Sequence, residues 1–187
     1  IKALIEEGVR LLSEQSEQPR LEAEILLSHV TGKSRTHFRA FAEAEVSAAE
    51  ALRFQGLIEQ RQSGQPMAYL TQEAWLQGVP FHVDARCLIP RSLISEVLVQ
   101  GALDAWLQPH AMKALDLCTG GGSLAILLAM TYPDAQVDAL DLSEDALAVA
   151  RINIERHGLS DRIHPRLSDG LQAAQGPYDL ILCNPPY

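Results

Sequence analysis

The chain has 187 residues, 47% of them hydrophobic and 21% charged, with a net charge of −9 at pH 7. That apolar share supports a packed core and excludes wholesale disorder, and no apolar run approaches the ~20 residues of a membrane helix. Its three cysteines, Cys87, Cys118 and Cys183, share no CxxC spacing, so neither a disulfide framework nor a zinc site is indicated, and a reduced, cytoplasmic protein is expected.

Ile1-Lys2-Ala3 opens without the basic and apolar regions of a signal peptide and without a methionine, so the natural start is expected upstream. Residues 1–65 read as a small helical domain. Ile5, Val9, Leu11 and Leu12 give one apolar stripe. Leu21, Ile25, Leu26 and Val30 give a second, with Pro19 near its start and Gly32 just past its end. Ser47 followed by Glu50 has the form of a capping box and opens a third helix carrying Leu52, Leu57 and Ile58, which ends before Gly64-Gln65-Pro66. Such a domain either supports its neighbour or recognises a partner, and periodicity does not choose between the two.

Residues 66–91 read as a β-hairpin linker, with β-like runs at Met67–Thr71, Ala74–Leu76 and Pro80–Val83 broken by Gly78 and Pro80. A helix is predicted from Ser92 to about Trp106, with Ile94, Val97, Leu98 and Leu103 inward. Residues 92–187 then alternate strands and helices. Strands are predicted at Lys113–Leu117, Gln136–Leu140, Arg162–Leu167 and Tyr178–Cys183, and helices at Ser123–Thr131 and Ser143–His157. This is an α/β pattern with a parallel sheet and right-handed crossovers, whose ligands sit beyond the carboxyl ends of the strands. The sheet stops after its fourth strand with an open edge, so a further C-terminal part is expected.

The charge is uneven. Residues 1–65 hold eight basic and ten acidic residues, a net −2, and residues 66–187 hold seven and fourteen, a net −7. A phosphate backbone calls for a basic face, so direct nucleic-acid binding is not expected.

Four sites carry chemistry. Asp116-Leu-Cys-Thr-Gly-Gly-Gly-Ser123 joins a strand to a helix through a turn in which a ligand can touch the backbone. It is neither G-x-G-x-x-G nor a P-loop, and the charge of Asp116 suits a cation such as an amino acid's ammonium. Asp141 ends the next strand, where a carboxylate can take both hydroxyls of a ribose. Ser143 is the better helix cap, with Glu144 and Asp145 in its first turn, and Asp138 is expected to face solvent. Ser168-Asp169-Gly170 follows the third strand and is either a plain turn or a partner for an adenine amino group. Asn184-Pro185-Pro186-Tyr187 follows the fourth. A planar NH2 group can donate one hydrogen to the Asn184 side-chain oxygen and the other to the Pro185 carbonyl, with Tyr187 stacked on its plane.

In this order the four sites resemble the class I S-adenosylmethionine-dependent methyltransferases, and the Asn-Pro-Pro-Tyr tetrapeptide resembles the branch that methylates amide or exocyclic amino nitrogens. Within it the whole chain is similar to the HemK family of protein-(glutamine-N5) methyltransferases. Ala23–Gly32 resembles the members that modify peptide chain release factors. Ala74-Trp75, Val83-Asp84, Leu88–Ser92 and Asp116–Gly120 resemble those acting on a large-subunit ribosomal protein, and Cys118 stands where the family more often has its first glycine. The resemblance implies a Rossmann-like methyltransferase sheet of seven strands, S-adenosyl-L-methionine as cofactor, and a protein substrate with no membrane partner. It places Asp116, Cys118, Thr119, Gly120 and Gly122 at the methionine end of the cofactor, Asp141 and Leu142 at the ribose, Asp169 at the adenine, and Asn184, Pro185 and Tyr187 at the reacting amide. The favoured substrate is the Gly-Gly-Gln loop of a release factor, with a ribosomal protein as the alternative. No base is called for, and His82, His110, His157 and His164 read as structural. Competing readings are a nucleic-acid amino methyltransferase, a non-catalytic interaction module and an enzyme acting on a small amine. Pro90-Arg91 is either a hinge or a contact for substrate or for the cofactor's carboxylate.

Overall fold

The computed structural model describes residues 1–107 and 112–186. The chain divides between Thr71 and Gln72 into two compact units, so the stretch expected as a separate linker is shared between them.

The first unit is helical, with α1 (Lys2–Leu12), α2 (Pro19–Thr31), α3 (Arg35–Ala40), α4 (Ala48–Gln62) and α5 (Met67–Thr71). Pro19 occupies the first turn of α2, and Gly32, with φ +67°, closes it by donating its N–H to the Ser28 carbonyl at 2.8 Å. The capping box opens α4. Ser47 Oγ accepts from the Glu50 N–H at 3.3 Å, and Glu50 Oε2 accepts from the Ser47 N–H at 3.0 Å. Leu12, Leu26, Leu27, Phe54 and Ile58 make the core. Two expectations need correction here. Met67–Thr71 is a helix, because the Pro66 carbonyl collects the Tyr69 and Leu70 N–H groups and Leu70 is buried in the helical core. Leu52 is 71% exposed, and Phe54, one turn before Ile58, takes the inward place.

The second unit begins with the antiparallel hairpin β1 (Glu73–Leu76) and β2 (Val79–His82). The helix expected to reach Trp106 is only α6 (Ile94–Val99). Left-handed Gly101 ends it, Val97 faces outward, and a single 3-10 turn at Asp104–Trp106 follows. Then come β3 (Lys113–Leu117), α7 (Ser123–Thr131), β4 (Gln136–Asp141), α8 (Glu144–Arg156), β5 (Ile163–Leu167) and β6 (Leu180–Cys183). These four strands are parallel in the order β5-β4-β3-β6. Every core-facing position of α7 from Leu124 to Ala129 is buried, as an all-apolar helix lying on a sheet demands. Asp138 is not at the surface. It is 4% exposed, because its carboxylate is neutralised by Arg166 of the neighbouring β5 and accepts from the Tyr178 hydroxyl at 2.7 Å.

Candidate functional site

β3 has β4 on one side and β6 on the other, so the direction of strand addition reverses there. Open α/β sheets form their ligand crevice outside the carboxyl ends of the strands at such a reversal. In the second unit a cleft of about 610 Å³ lies at those ends, lined by residues 86–92, 118–121, 123–124, 141–143, 146 and 184–186. That volume falls in the usual range of roughly 300–1,000 Å³ for small-molecule sites.

The turn after β3 has a backbone that few side chains accept. Cys118, Gly120 and Gly122 have φ of +61°, +55° and +82°, a region that costs a residue bearing Cβ about 1–2 kcal/mol. Cys118 bears that strain without the conformational freedom of a glycine. The Thr119 N–H donates to the Leu140 carbonyl at 3.0 Å, which ties the turn to β4. A Cβ on Gly120 would meet nothing within 4 Å, so this residue opens onto the cleft. Gly122 does not line it. A Cβ there would stand 3.2 Å from Ala150 Cβ, so its bareness lets α7 approach α8.

Asp116 lies beneath the turn and not on the cleft wall. It is fully buried, with Oδ2 accepting from Thr119 Oγ1 at 2.6 Å and from the Ala125 N–H at 3.0 Å, while Oδ1 has no partner. Burial holds its pKa up to about 7, the Asp141 carboxylate adds to the rise, and the two hydrogen bonds oppose it. By taking an N–H in the first turn of α7, Asp116 occupies the end of the helix that would otherwise attract phosphate.

Asp141 does line the cleft. Its Oδ2 accepts from the Gly120 N–H at 2.8 Å and its Oδ1 from the Ser143 N–H at 2.9 Å, which leaves each oxygen a lone pair for a further donor. Ser143 caps α8 through the Ala146 N–H at 3.2 Å, as the sequence suggests. Leu142, 70% exposed, makes an apolar lip beside it. Asp169 is exposed and outside the cleft. Its neighbour Ser168 orders that loop, through its N–H on the Asp141 carbonyl at 2.8 Å and its hydroxyl on the Gly170 carbonyl at 2.8 Å. Asn184, Pro185 and Pro186 form the opposite wall, and Tyr187 lies outside the described residues. Asn184 Nδ2 donates to the Arg91 carbonyl at 3.1 Å, which fixes the amide so that Oδ1 is the free acceptor among the described residues.

Sequence reasoning saw this site only in part. Of the segment 86–92, which forms a whole wall of the cleft, it singled out Pro90-Arg91 alone, and it missed Asn153. Asn153, 1% exposed on α8, pins the hairpin to the turn. Its Oδ1 accepts from the His82 N–H at 2.7 Å, and its Nδ2 donates to the His82 and Gly121 carbonyls at 3.0 and 2.9 Å. A polar residue at an inward position of an amphipathic helix was the available signal. The structure also brings His82 to 3.1 Å from Asp84, a pair the sequence did not suggest. Bidentate contact with Arg86 holds that carboxyl far below the usual range. His157 meets the Pro80 carbonyl and His164 the Gln136 side chain, while His110 lies outside the described residues.

The parallel sheet, the glycine turn between β3 and α7 and the acidic residue ending β4 define a Rossmann-like fold of the methyltransferase type. Two family models match in succession, the PrmC N-terminal domain over residues 3–71 and the methyltransferase small domain over residues 95–187. The chain is 49% identical over 153 residues to a ribosomal protein uL3 glutamine methyltransferase of Bordetella pertussis, covering 79% of this chain and 50% of that one. It is 44% identical to the protein of that name from Neisseria meningitidis serogroup B, covering 89% and 55%. A release factor glutamine methyltransferase of Chlorobaculum tepidum is 39% identical, covering 91% and 61%. The chain belongs to the HemK family. It spans about half the length of the curated relatives it matches.

Proposed function

We propose that the chain binds S-adenosylmethionine in this cleft and transfers its methyl group to the N5 nitrogen of a glutamine side chain in a protein of the translation machinery. The observation that carries this is the fixed Asn184 amide, which faces the same cleft as the glycine turn and Asp141. The residues suit the cofactor. Asp141 has acceptor capacity for a ribose diol, and Leu142 offers an apolar edge. The unpartnered Asp116 Oδ1 gives the turn a negative field for an ammonium group.

The bound cofactor supplies an electrophilic methyl on a sulfonium. The protein's task is to aim a weak nucleophile at it. Asn184 Oδ1 and the Pro185 carbonyl accept the two hydrogens of the substrate NH2, hold the nitrogen in line, and stabilise the positive charge that grows on it. Such positioning contributes ~7–11 kcal/mol at best. The methylated nitrogen is acidic enough to lose its proton to water, so no histidine is asked to act. Cys118, Thr119 and Gly120 belong to the walls on this proposal, Gly122 to the packing behind them, Asp169 to the adenine end, and Tyr187, outside the described residues, to stacking on the substrate amide.

The Gly-Gly-Gln loop of a release factor suits a narrow pocket, because its small neighbours let the glutamine extend. The ribosomal protein is a second reading, favoured by the relatives at 49% and 44% identity that carry the uL3 name. Either substrate places the protein in the cytoplasm. To decide, the complete natural protein and radiolabelled S-adenosylmethionine are offered release factors and, separately, large-subunit ribosomal proteins, and the label is mapped by mass spectrometry. N5-methylglutamine on either supports the proposal and names the substrate, and label on neither while the cofactor is bound overturns it. Asn184→Ala is expected to lower turnover at least 100-fold while cofactor affinity, measured by calorimetry, stays within about threefold.

A further inference from the structure

Two cysteines meet at the mouth of this cleft. β3 and β6 are neighbouring parallel strands with Leu117 opposite Cys183, and Cys118 is the next residue along. With strands ~4.8 Å apart and a rise of ~3.3 Å per residue, its Cα lies about 6 Å from that of Cys183, inside the roughly 4.4–6.8 Å span of disulfides. Continued as a strand, residue 118 would send its side chain to the face opposite Cys183. The left-handed φ of +61° at Cys118 ends the strand, and the Cys183 thiol lies near enough to help raise the Cys118 pKa. Both are free, Cys183 is exposed, and Cys118 forms part of the cleft wall. Cys118 sits in the glycine turn, and Cys183 immediately precedes Asn184.

We propose, on the reading of the cleft as a cofactor site, that Cys118 and Cys183 form an oxidisable dithiol, and that small-molecule disulfides close an intrachain bond between them that shuts the site. The exposed Cys183 thiolate attacks one sulfur of the external disulfide, expels one thiol and retains the other half as a mixed disulfide. Cys118 then gives up its proton, attacks Cys183 Sγ and expels the second thiol. One external disulfide is reduced to two thiols, and the protein is oxidised by two electrons with loss of two protons. The new bond ties the cofactor turn to the Asn184 segment and removes their independent adjustment. Burial, with the adjoining Cys183 and Asp141, pushes the Cys118 thiol up, so closure is slow at neutral pH and faster in alkaline solution.

The test incubates the complete reduced protein with oxidised glutathione, with and without S-adenosylmethionine. Expected are the loss of two titratable thiols, a Cys118–Cys183 cross-linked peptide in the mass spectrum, and a drop in cofactor affinity of at least tenfold that dithiothreitol reverses. Saturating cofactor should slow cross-linking by a similar factor. Cys183→Ser should keep cofactor affinity and lose its response to the oxidant. A glutathione adduct on Cys183 with no cross-link overturns the pair, and a cross-link that leaves affinity unchanged overturns the switch. If the reduced protein binds no cofactor, the cofactor reading falls and the switch with it, while the cross-link alone still decides whether the two thiols react as a pair.

Discussion

At the scale of single residues, Asp116 and Asn153 hold the site together from behind. The Asp116 pKa of about 7 exceeds the ordinary aspartate value, so between about pH 4 and 7 the folded chain binds a proton that the unfolded chain has lost. Stability from this group is therefore greatest at acid pH, falls as pH rises through that window by up to about 1.4 kcal/mol per unit, and is level above it. An ammonium at the turn favours the carboxylate, so cofactor binding below pH 7 should release a proton. Affinity should then tighten between pH 6 and 7, by up to about tenfold, and flatten above. Calorimetry across that range checks this, and Asp116→Asn should abolish the slope. Asn153→Ala strands the His82 N–H and two carbonyls. It should cost about 2–4 kcal/mol in urea unfolding and lower cofactor affinity through the loosened Gly121. The sequence singled out Asp116 but not its burial, and Asn153 left only the trace of a polar residue on an inward helix position, because its partners lie 32 and 71 residues away.

At the scale of elements, legibility followed the strength of local signals. The strands around Asp116 and Asp141 were readable because short apolar-rich runs alternate with helical patterns there, and α7 because a glycine turn precedes it. The caps were equally plain, with Pro19, Gly32, Ser47 and Ser143 all standing where the structure uses them. Ser47→Ala should lower the stability of the helical unit by about 1 kcal/mol, read by thermal melting followed by circular dichroism. The misses were short. α5 has only five residues, too few to show a period of 3.6, and Tyr69 and Thr71 within it favour strands. α6 ends at a left-handed glycine, yet the apolar pattern runs on past it through Leu103. Asp138 alternates correctly for a strand with one wet face, and only the Arg166 and Tyr178 side chains, brought in from later in the chain, shield its carboxylate.

At the scale of the whole molecule, charge separates the readings. The unit that holds the cleft carries seven basic and fourteen acidic residues, and the helical unit eight and ten. Such surfaces repel a phosphate backbone, so filter binding at physiological salt should show affinity for DNA or RNA weaker than ~10⁻⁴ M. Among the described residues no helix is long and apolar enough to cross a membrane. The agreement of the helical unit, Ile1–Thr71, with the family match over residues 3–71 shows that this boundary belongs to the family and not to this chain alone.

The strand order also sets a sequence of events in time. Lys113 must wait for Asp179, 66 residues later, before β6 can dock, whereas Ala114 finds Val137 on β4 much sooner. As the chain leaves the ribosome, β3, β4 and β5 can pair while β6 is still unmade, so the pole carrying Asp141 is assembled before the pole carrying Asn184. A chain in that state has the Asp141 carboxylate at the end of its strand but not yet the Asn184 amide across from it. The cleft is therefore incomplete until the last described strand is in place.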